Sequence, residues 1–508
     1  MSVLGLSRAR RLFEGWSANL LQMMLGITQQ VALVPVFLHF WTSDVLAAWL
    51  AIYAAGGLVL IADAGLQLRS INRFFALKSS VDNDGRTASF YAAMLRIYFG
   101  VAGVLVALLL VGTWLLHPSE VLGFQATPDF DAAFVVMTAG MFITVPAHLV
   151  TGLYRTRGLY GRAVRVQSWG LLIAQLGQLV AIVATGSLLA VTITYVTAQL
   201  LVLIYLLAID APRLFPFLRG ARARPSWRWI FGQFRIAFPF AIANTTELAL
   251  LNLPVLLVSA VVSDRVAVAQ WGLTRVVASL LRALCTHATL PLAAELGHDY
   301  AVGMKQELQS LYARGSVFVT LLASLVVSGL LPFWPDFFAL WTHGAIPYDP
   351  VLAITLLIGT SVIAPSILAL GYANYSNRRE LLVRTKGLQL AVFLVLSILL
   401  TPPMGPLGAA LAIVASDLLV QFGALAVVII RQTLRHPLRH IAFLAATMVV
   451  VIASGWALGT AIRLTLPGTG LVHFVAECTL WLVAVALIAS PLASSKNLRD
   501  RLIAAIPR

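Results

Sequence analysis

The sequence predicts an all-α polytopic membrane protein with about fourteen transmembrane helices, and three observations carry that prediction. Of its 508 residues, 60% are hydrophobic and 11% charged, and the mean hydropathy is +0.90, a composition suited to lipid rather than water. Apolar runs of roughly 20 residues, the length a helix needs to cross about 30 Å of hydrocarbon, recur along the whole chain. Once those runs are drawn as spans, every Lys and Arg except Arg265, Arg275, Arg282 and Arg463 falls on one side of the membrane. The ten-residue alternation of a membrane barrel is missing, and helices satisfy their own backbone hydrogen bonds in lipid.

The spans fall near residues 16–40, 44–69, 90–116, 130–152, 165–185, 187–209, 232–260, 266–296, 312–333, 350–375, 387–402, 405–430, 440–462 and 470–491. The first is read as an uncleaved span: it is too long for a signal segment, holds Gln22, Gln29, Gln30 and Pro35, and has no cleavage-type site after it. Cations close every even-numbered span. Arg8, Arg10 and Arg11 precede the first; Arg69, Arg73, Lys78 and Arg86 follow the second; Arg155, Arg157, Arg162 and Arg165 follow the fourth. Arg213, Arg219, Arg222, Arg224, Arg228 and Arg235 follow the sixth, Lys305 and Arg314 the eighth, and Arg378, Arg379, Arg384 and Lys386 the tenth. Arg431, Arg435 and Arg439 follow the twelfth, and Lys496, Arg499, Arg501 and Arg508 end the chain. Both termini are therefore expected in the cytoplasm of a bacterial inner-membrane protein. The net charge of +15 follows from this threading and from attraction to anionic lipid, with no nucleic-acid partner needed.

The chain also repeats itself at about 220 residues. Pro146 to Gly152 and Tyr154, ending span 4, match Pro365 to Gly371 and Tyr372, ending span 10, at an offset of 219. Val196 to Val202 in span 6 match Val414 to Val420 in span 12 at an offset of 218, and Gly186-Ser-Leu188 matches Gly405-Pro-Leu407. Ala18-Asn19 pairs more weakly with Ala243-Asn244, and Trp49 with Trp271. An even number of spans per repeat makes two pseudo-symmetric six-helix lobes of the same orientation around a central cavity, with two extra C-terminal helices. The expected organisation is an N-lobe over 1–210, a basic cytoplasmic linker over 211–231, a C-lobe over 232–431, and a helix pair with a basic tail over 432–508.

The opening Gly15-Trp16-Ser17-Ala18-Asn19-Leu20-Leu21-Gln22, then Val34-Pro35-Val36-Phe37-Leu38, Trp49-Leu50-Ala51-Ile52-Tyr53 and Asp63-Ala64-Gly65-Leu66 resembles the first two helices of Wzx-type polysaccharide flippases. These belong to the multidrug/oligosaccharidyl-lipid/polysaccharide (MOP) exporter superfamily. Gly152, Tyr154, Arg157, Gly158 and Tyr160 are similar to the hairpin after their fourth span. The resemblance is strongest over roughly the first 165 residues, and its motifs are diffuse. It implies transfer of an undecaprenyl-diphosphate-linked oligosaccharide from the cytoplasmic to the periplasmic leaflet, for lipopolysaccharide or exopolysaccharide assembly. Many members have twelve spans, so the last pair is a departure.

Ionisable groups inside spans are costly enough to be functional candidates. Arg275 and Arg282 are seven residues apart, close to two helical turns, and share one face of span 8. On the flippase reading they line the cavity and meet the carrier diphosphate, guanidinium being suited to bidentate phosphate contacts; the other reading pairs Arg282 with Glu247 of span 7. Asn19 and Gln22 in span 1, with Asn244 in span 7, could hydrogen-bond sugar hydroxyls or neighbouring helices. Asp63, Asp417 and Glu477 are coupling-ion sites, for H+ or Na+, or structural charges, with Arg69 the cheaper local partner for Asp63. Pro35, Pro239 and Pro254 mark kinks in spans 1 and 7.

Several chemistries are set aside. Cys285 and Cys478 lie in different spans, His436 and His440 are placed in a cytoplasmic turn, and no residue set has metal-ligand spacing. With no nucleotide-binding loop, no cofactor motif and no catalytic cluster, the chain reads as a transporter rather than an enzyme. Trp334 and Trp341 read as interfacial anchors, which weakens a membrane-embedded glycan polymerase or ligase. A MATE-like multidrug exporter would show an acidic cation site in span 1, which has none, whereas a lipid II flippase shares the span count and a cationic cavity. The carried molecule, lipid-linked and embedded in membrane lipid, is the main partner, with other polysaccharide-assembly proteins as further ones. Reporter fusions within residues 213–235 are expected to report a cytoplasmic location; a periplasmic signal there inverts the threading.

Overall fold

The computed structural model describes residues 8–63, 65–77, 84–376, 378–466, 468, 470–494 and 506–507. They are helical, with no strand among them. The membrane-crossing helices are α1 (Leu20–Phe40), α2 (Ser43–Asp63), α3 (Arg86–Leu116), α4 (Phe130–Thr156), α5 (Tyr160–Thr185), α6 (Leu188–Leu214) and α7 (Trp227–Val261). They continue with α8 (Arg265–Gly297), α9 (Lys305–Trp341), α10 (Pro350–Tyr375), α11 (Glu380–Met404), α12 (Pro406–Thr433), α13 (Pro437–Thr465) and α14 (Leu471–Pro491). Thirteen cross as single helices and α7 makes the fourteenth, bent by 60° between Trp227–Ile242 and Thr245–Val261, a turn beyond Pro239. Helix α1 carries a π-helical stretch at Thr28–Ala32, immediately before Pro35, so both proline-bearing first helices depart from regular α geometry.

Local chemistry sets the ends. Ser187 Oγ accepts from Ala190 N–H at the start of α6, and Ser226 Oγ from Trp229 N–H at the start of α7. Asp349 Oδ1 accepts from Val351 and Leu352 N–H ahead of Pro350, a proline that suits a first helical turn because its missing N–H has no partner to lose there. Helix α2 stops at Asp63, and Gly65, at φ +72°, turns the chain into a surface helix, Leu66–Leu77. A Cβ at Gly65 would meet Ala237 O at 2.6 Å and Ala241 N at 2.7 Å, so glycine is required by conformation and by the approach of α7.

Contacts gather the chain into two compact units, Met1–Arg265 and Val266–Arg508. In the first, α5 and α6 form a hairpin, α1 lies along α5, α4 packs on α6 and α3, and α7 lies along α2. In the second, α11 and α12 form the hairpin and α10 packs on α9 and α12. The same contacts recur at the repeat offset. Gly140 of α4 receives Val196 of α6, and Gly359 of α10 receives Val414 of α12. Gly152 faces Ile71 in the first unit, and Gly371 faces Ala293 in the second. Buried Tyr91 and Tyr154 share one core, while buried Tyr312 and Tyr372 share the other. Small residues that admit a neighbour's branched side chain are how helices pack without a hydrophobic drive in lipid.

The C-terminal pair docks on α9. Gly455 faces Ser328, Gly459 faces Pro332, and Trp481 Nε1 donates to Gly455 O at 3.0 Å. Arg463 donates to Pro332 O at 2.8 Å and pairs with Asp336 at 2.7 Å. Two expectations are corrected here. His440 lies inside α13, fully buried, with Nε2 2.8 Å from Ser316 Oγ, because α13 begins at Pro437 rather than after the basic turn. Trp334 and Trp341 are buried among Phe337 and Phe338, because α9 runs on through residue 341 and shields them. The pair also makes the units unequal: 61% of the apolar window of α9 is buried but only 6% of that of α3, whose Leu108, Trp114 and Leu116 are exposed. Gly455→Leu is expected to cost about 2 kcal/mol by overpacking against Ser328 and to open the connection before Pro437 to protease; cleavage there at the wild-type rate would show that Gly455 does not seat α13.

Candidate functional site

The two intramembrane arginines of α8 share a face but meet different surroundings. Arg282 belongs to a closed ring of polar side chains. Its Nη1 donates to Asp417 Oδ2 at 2.8 Å and its Nη2 to Asp417 Oδ1 and Gln421 Oε1, each at 3.3 Å. Gln421 Oε1 also accepts from Lys386 Nζ at 2.8 Å, Lys386 donates to Gln389 Oε1 at 2.9 Å, and Gln389 Nε2 returns to Asp417 Oδ1 at 2.5 Å. Gln421 Nε2 ties the ring to Ser366 of α10 at 2.9 Å. Lys386, Gln389, Asp417 and Gln421 are all buried. Asp417 opens a π-helical stretch of α12, Asp417–Ala426, whose widened turns carry both Asp417 and Gln421 to the ring.

The bidentate partner of Arg282 is thus Asp417, a residue that sequence alone treats separately. Lys386 is a further correction: by sequence it falls with the loop cations after span 10, whereas α11 begins at Glu380 and carries it inside the membrane segment, 2% exposed. Its spacing to Gln389, and that of Asp417 to Gln421, are the i, i+3 and i, i+4 intervals that align side chains on one helix face.

Arg275 has no such ring. Its Nε and Nη1 are buried without a hydrogen-bond partner among the described residues, and so is Nε1 of Trp271, one turn earlier on α8. A buried donor left unmet costs about 1–3 kcal/mol, more when charged, so this turn of α8 offers N–H groups suited to an anion or to sugar oxygens.

The remaining candidates are dispersed. Gln22 is half-buried in α1, and Glu247 half-buried in the second limb of α7. The side chains of Asn19 and Asn244 lie outside the described set. Asp63 is not held by Arg69: it accepts from Tyr98 Oη at 2.7 Å and Gln67 N–H at 3.2 Å, and His148 Nδ1 lies 3.8 Å away. The break after Asp63 carries Arg69 off the span to donate to Gln233 instead. Glu477 is buried beside His473, Nε2 at 3.2 Å. A further buried carboxylate, Asp210, escapes sequence reading because it lies close to the connector. It ends a π-helical stretch of α6 and accepts from Tyr154 Oη at 2.7 Å, Arg162 Nε at 3.0 Å and Tyr205 Oη at 3.3 Å. Among the described residues no His, Cys, Asp and Glu group could hold a metal.

Because removing one member of a buried pair strands the other's charge, Arg282→Gln is expected to lower stability by about 3 kcal/mol or more. Adding Asp417→Asn should recover part of it in a double-mutant cycle read by thermal unfolding; strictly additive losses would show that the two do not interact.

No protein-family model and no curated protein sequence matches the chain. Among solved structures it is similar to the lipid II flippase MurJ in an inward closed conformation, with a TM-score of 0.71 at 10% identity over 94% of this chain and 99% of that one. It is also similar to a multidrug resistance MATE family transporter of the MOP superfamily in its inward-facing conformation, with a TM-score of 0.60 at 13% identity over 84% and 99%. The chain therefore has the polytopic all-helical fold seen in these two proteins.

Proposed function

We propose that the chain is a flippase that moves an undecaprenyl-diphosphate-linked oligosaccharide from the cytoplasmic to the periplasmic leaflet of the bacterial inner membrane by alternating access, for lipopolysaccharide or exopolysaccharide assembly. The single observation that carries this reading is the guanidinium of Arg275, buried in α8 with two nitrogens lacking partners among the described residues. In a fold shared with a lipid II flippase, such a group suits a diphosphate, whose oxygens accept paired N–H bonds. Glu247, Asn19, Gln22 and Asn244 are assigned to the same translocation path. Arg282 serves it indirectly, by fixing α8 against α10, α11 and α12 through its ring. Both termini are assigned to the cytoplasm. Asp63 and Asp417 are the groups through which an H+ or Na+ gradient would act. Other polysaccharide-assembly proteins are the natural partners.

Lipid II export is the second reading, favoured by the extent of the MurJ likeness; a glycan cargo is favoured by the resemblance of the first two spans to Wzx-type flippases.

Arg275→Gln, in protein verified to be inserted, is expected to reduce surface polysaccharide at least tenfold, and Arg275→Lys to restore it in part, because an ammonium keeps the charge but not the fork. Full export by Arg275→Gln removes the ligand role. Growth of a strain depleted of its lipid II flippase, rescued by this chain, would transfer the assignment to the second reading.

A further inference from the structure

The first unit has a pocket of about 680 Å³ lined by Arg69, Arg73, Arg86 and Arg224. It is built by elements already described. Gly65 turns the surface helix Leu66–Leu77 against α7, where Arg69 Nε donates to Gln233 Oε1 at 3.1 Å. The start of α3 brings Arg86, and the connector before α7 brings Arg224. The wall is an edge-to-face aromatic run, Phe74 to Phe90 at 5.4 Å and Phe90 to Trp229 at 6.1 Å, with Phe90 and Trp229 lining the cavity.

Four guanidiniums lie in one concavity, and among the described residues only Arg86 has a carboxylate partner, Asp84 at 3.2 Å. Arg73 and Arg224 make no hydrogen bond or ion pair there. Arg69 and Arg73 stand four apart on one helix face, a like-charge spacing that costs stability in the empty protein. Burial and then the Arg73 charge lower the pKa of Arg69 below the ordinary guanidinium value. Scattered surface cations would avoid one another. These line one open concavity of the size that holds small ligands, Arg69 half-buried and Arg73, Arg86 and Arg224 exposed, against a rigid aromatic side.

We propose that this pocket is a binding site for a phosphate-bearing anion, a diphosphate or an anionic lipid headgroup, held by Arg69, Arg73 and Arg224. The site lies at the edge of the membrane segments that carries the basic connections, and the inference does not depend on what the chain transports.

The test uses the full chain in lipid nanodiscs, with Arg73→Gln/Arg224→Gln as the variant, since neither side chain supports the fold through a bond. Arg222→Gln/Arg228→Gln, one arginine of the connector and one of the first turn of α7, both outside the pocket, is the control. Inorganic pyrophosphate should raise the melting temperature of wild type and control and leave the pocket variant unmoved, with binding weakened about tenfold or more. Without anion, the pocket variant should melt at or above the wild type, because repulsion is relieved. Phosphatidylglycerol retained through native mass spectrometry by wild type and control, and lost by the pocket variant, identifies the lipid headgroup as the source. A pyrophosphate response without that retention identifies a free or carried diphosphate. Equal loss in the control variant, or no response to either probe in the wild type, overturns the proposal in favour of diffuse surface charge.

Discussion

A carboxylate in the middle of a membrane protein has no water to lean on, and Asp417 is tolerated only because three helices close around it. Arg282 neutralises its charge, Gln389 adds a third hydrogen bond to it, and Gln421 relays the arrangement to Lys386 and Ser366. Each member is expensive to bury alone and acceptable in company. The ring consequently fixes α8, α11 and α12 in one register, since sliding any of them breaks several charge-assisted bonds together, and the bond from Gln421 to Ser366 ties α10 to it. The first unit holds its own buried carboxylate, Asp210, by the same means, with Arg162 and two tyrosines. In both units the acid sits on a π-helical stretch of the last helix of the repeat.

Pairing of this kind divides the cations into two sorts. Most lie at helix ends, where water and lipid headgroups solvate them and topology accounts for them. A few have specific partners that state their roles: Arg282 and Arg162 are met by carboxylates, Arg463 by a carbonyl and a carboxylate. Arg275 lacks such partners among the described residues, and the pocket arginines are crowded by one another. Charge that the protein leaves unanswered is where an anion from outside belongs.

Much of the fold was legible in the sequence. Hydropathy and the sidedness of cations suffice for the helix count, since the bilayer fixes span length, and the 219-residue offset foretells contacts such as Gly140 with Val196 and Gly359 with Val414. Helix ends were less legible. Lys386 and His440 read as loop residues because their neighbours are arginines, yet both lie a turn or two inside helices that start early. Partners were least legible, because Asp417 is 135 residues from Arg282 and nothing local links them. Asp63 went to the nearest arginine in sequence, whereas the turn at Gly65 takes that arginine elsewhere and Tyr98 arrives instead.

The jacket that α13 and α14 form over α9 has a mechanical consequence. Its counterpart in the repeat, α3, buries its first half in the core but leaves its second half, with Leu108, Trp114 and Leu116, exposed, so changes in bilayer thickness or lateral pressure press on that half directly. In the second unit α9 feels them only after two intervening helices have absorbed part of the strain. A molecule built from two copies of one plan thereby acquires a soft flank and a stiff one.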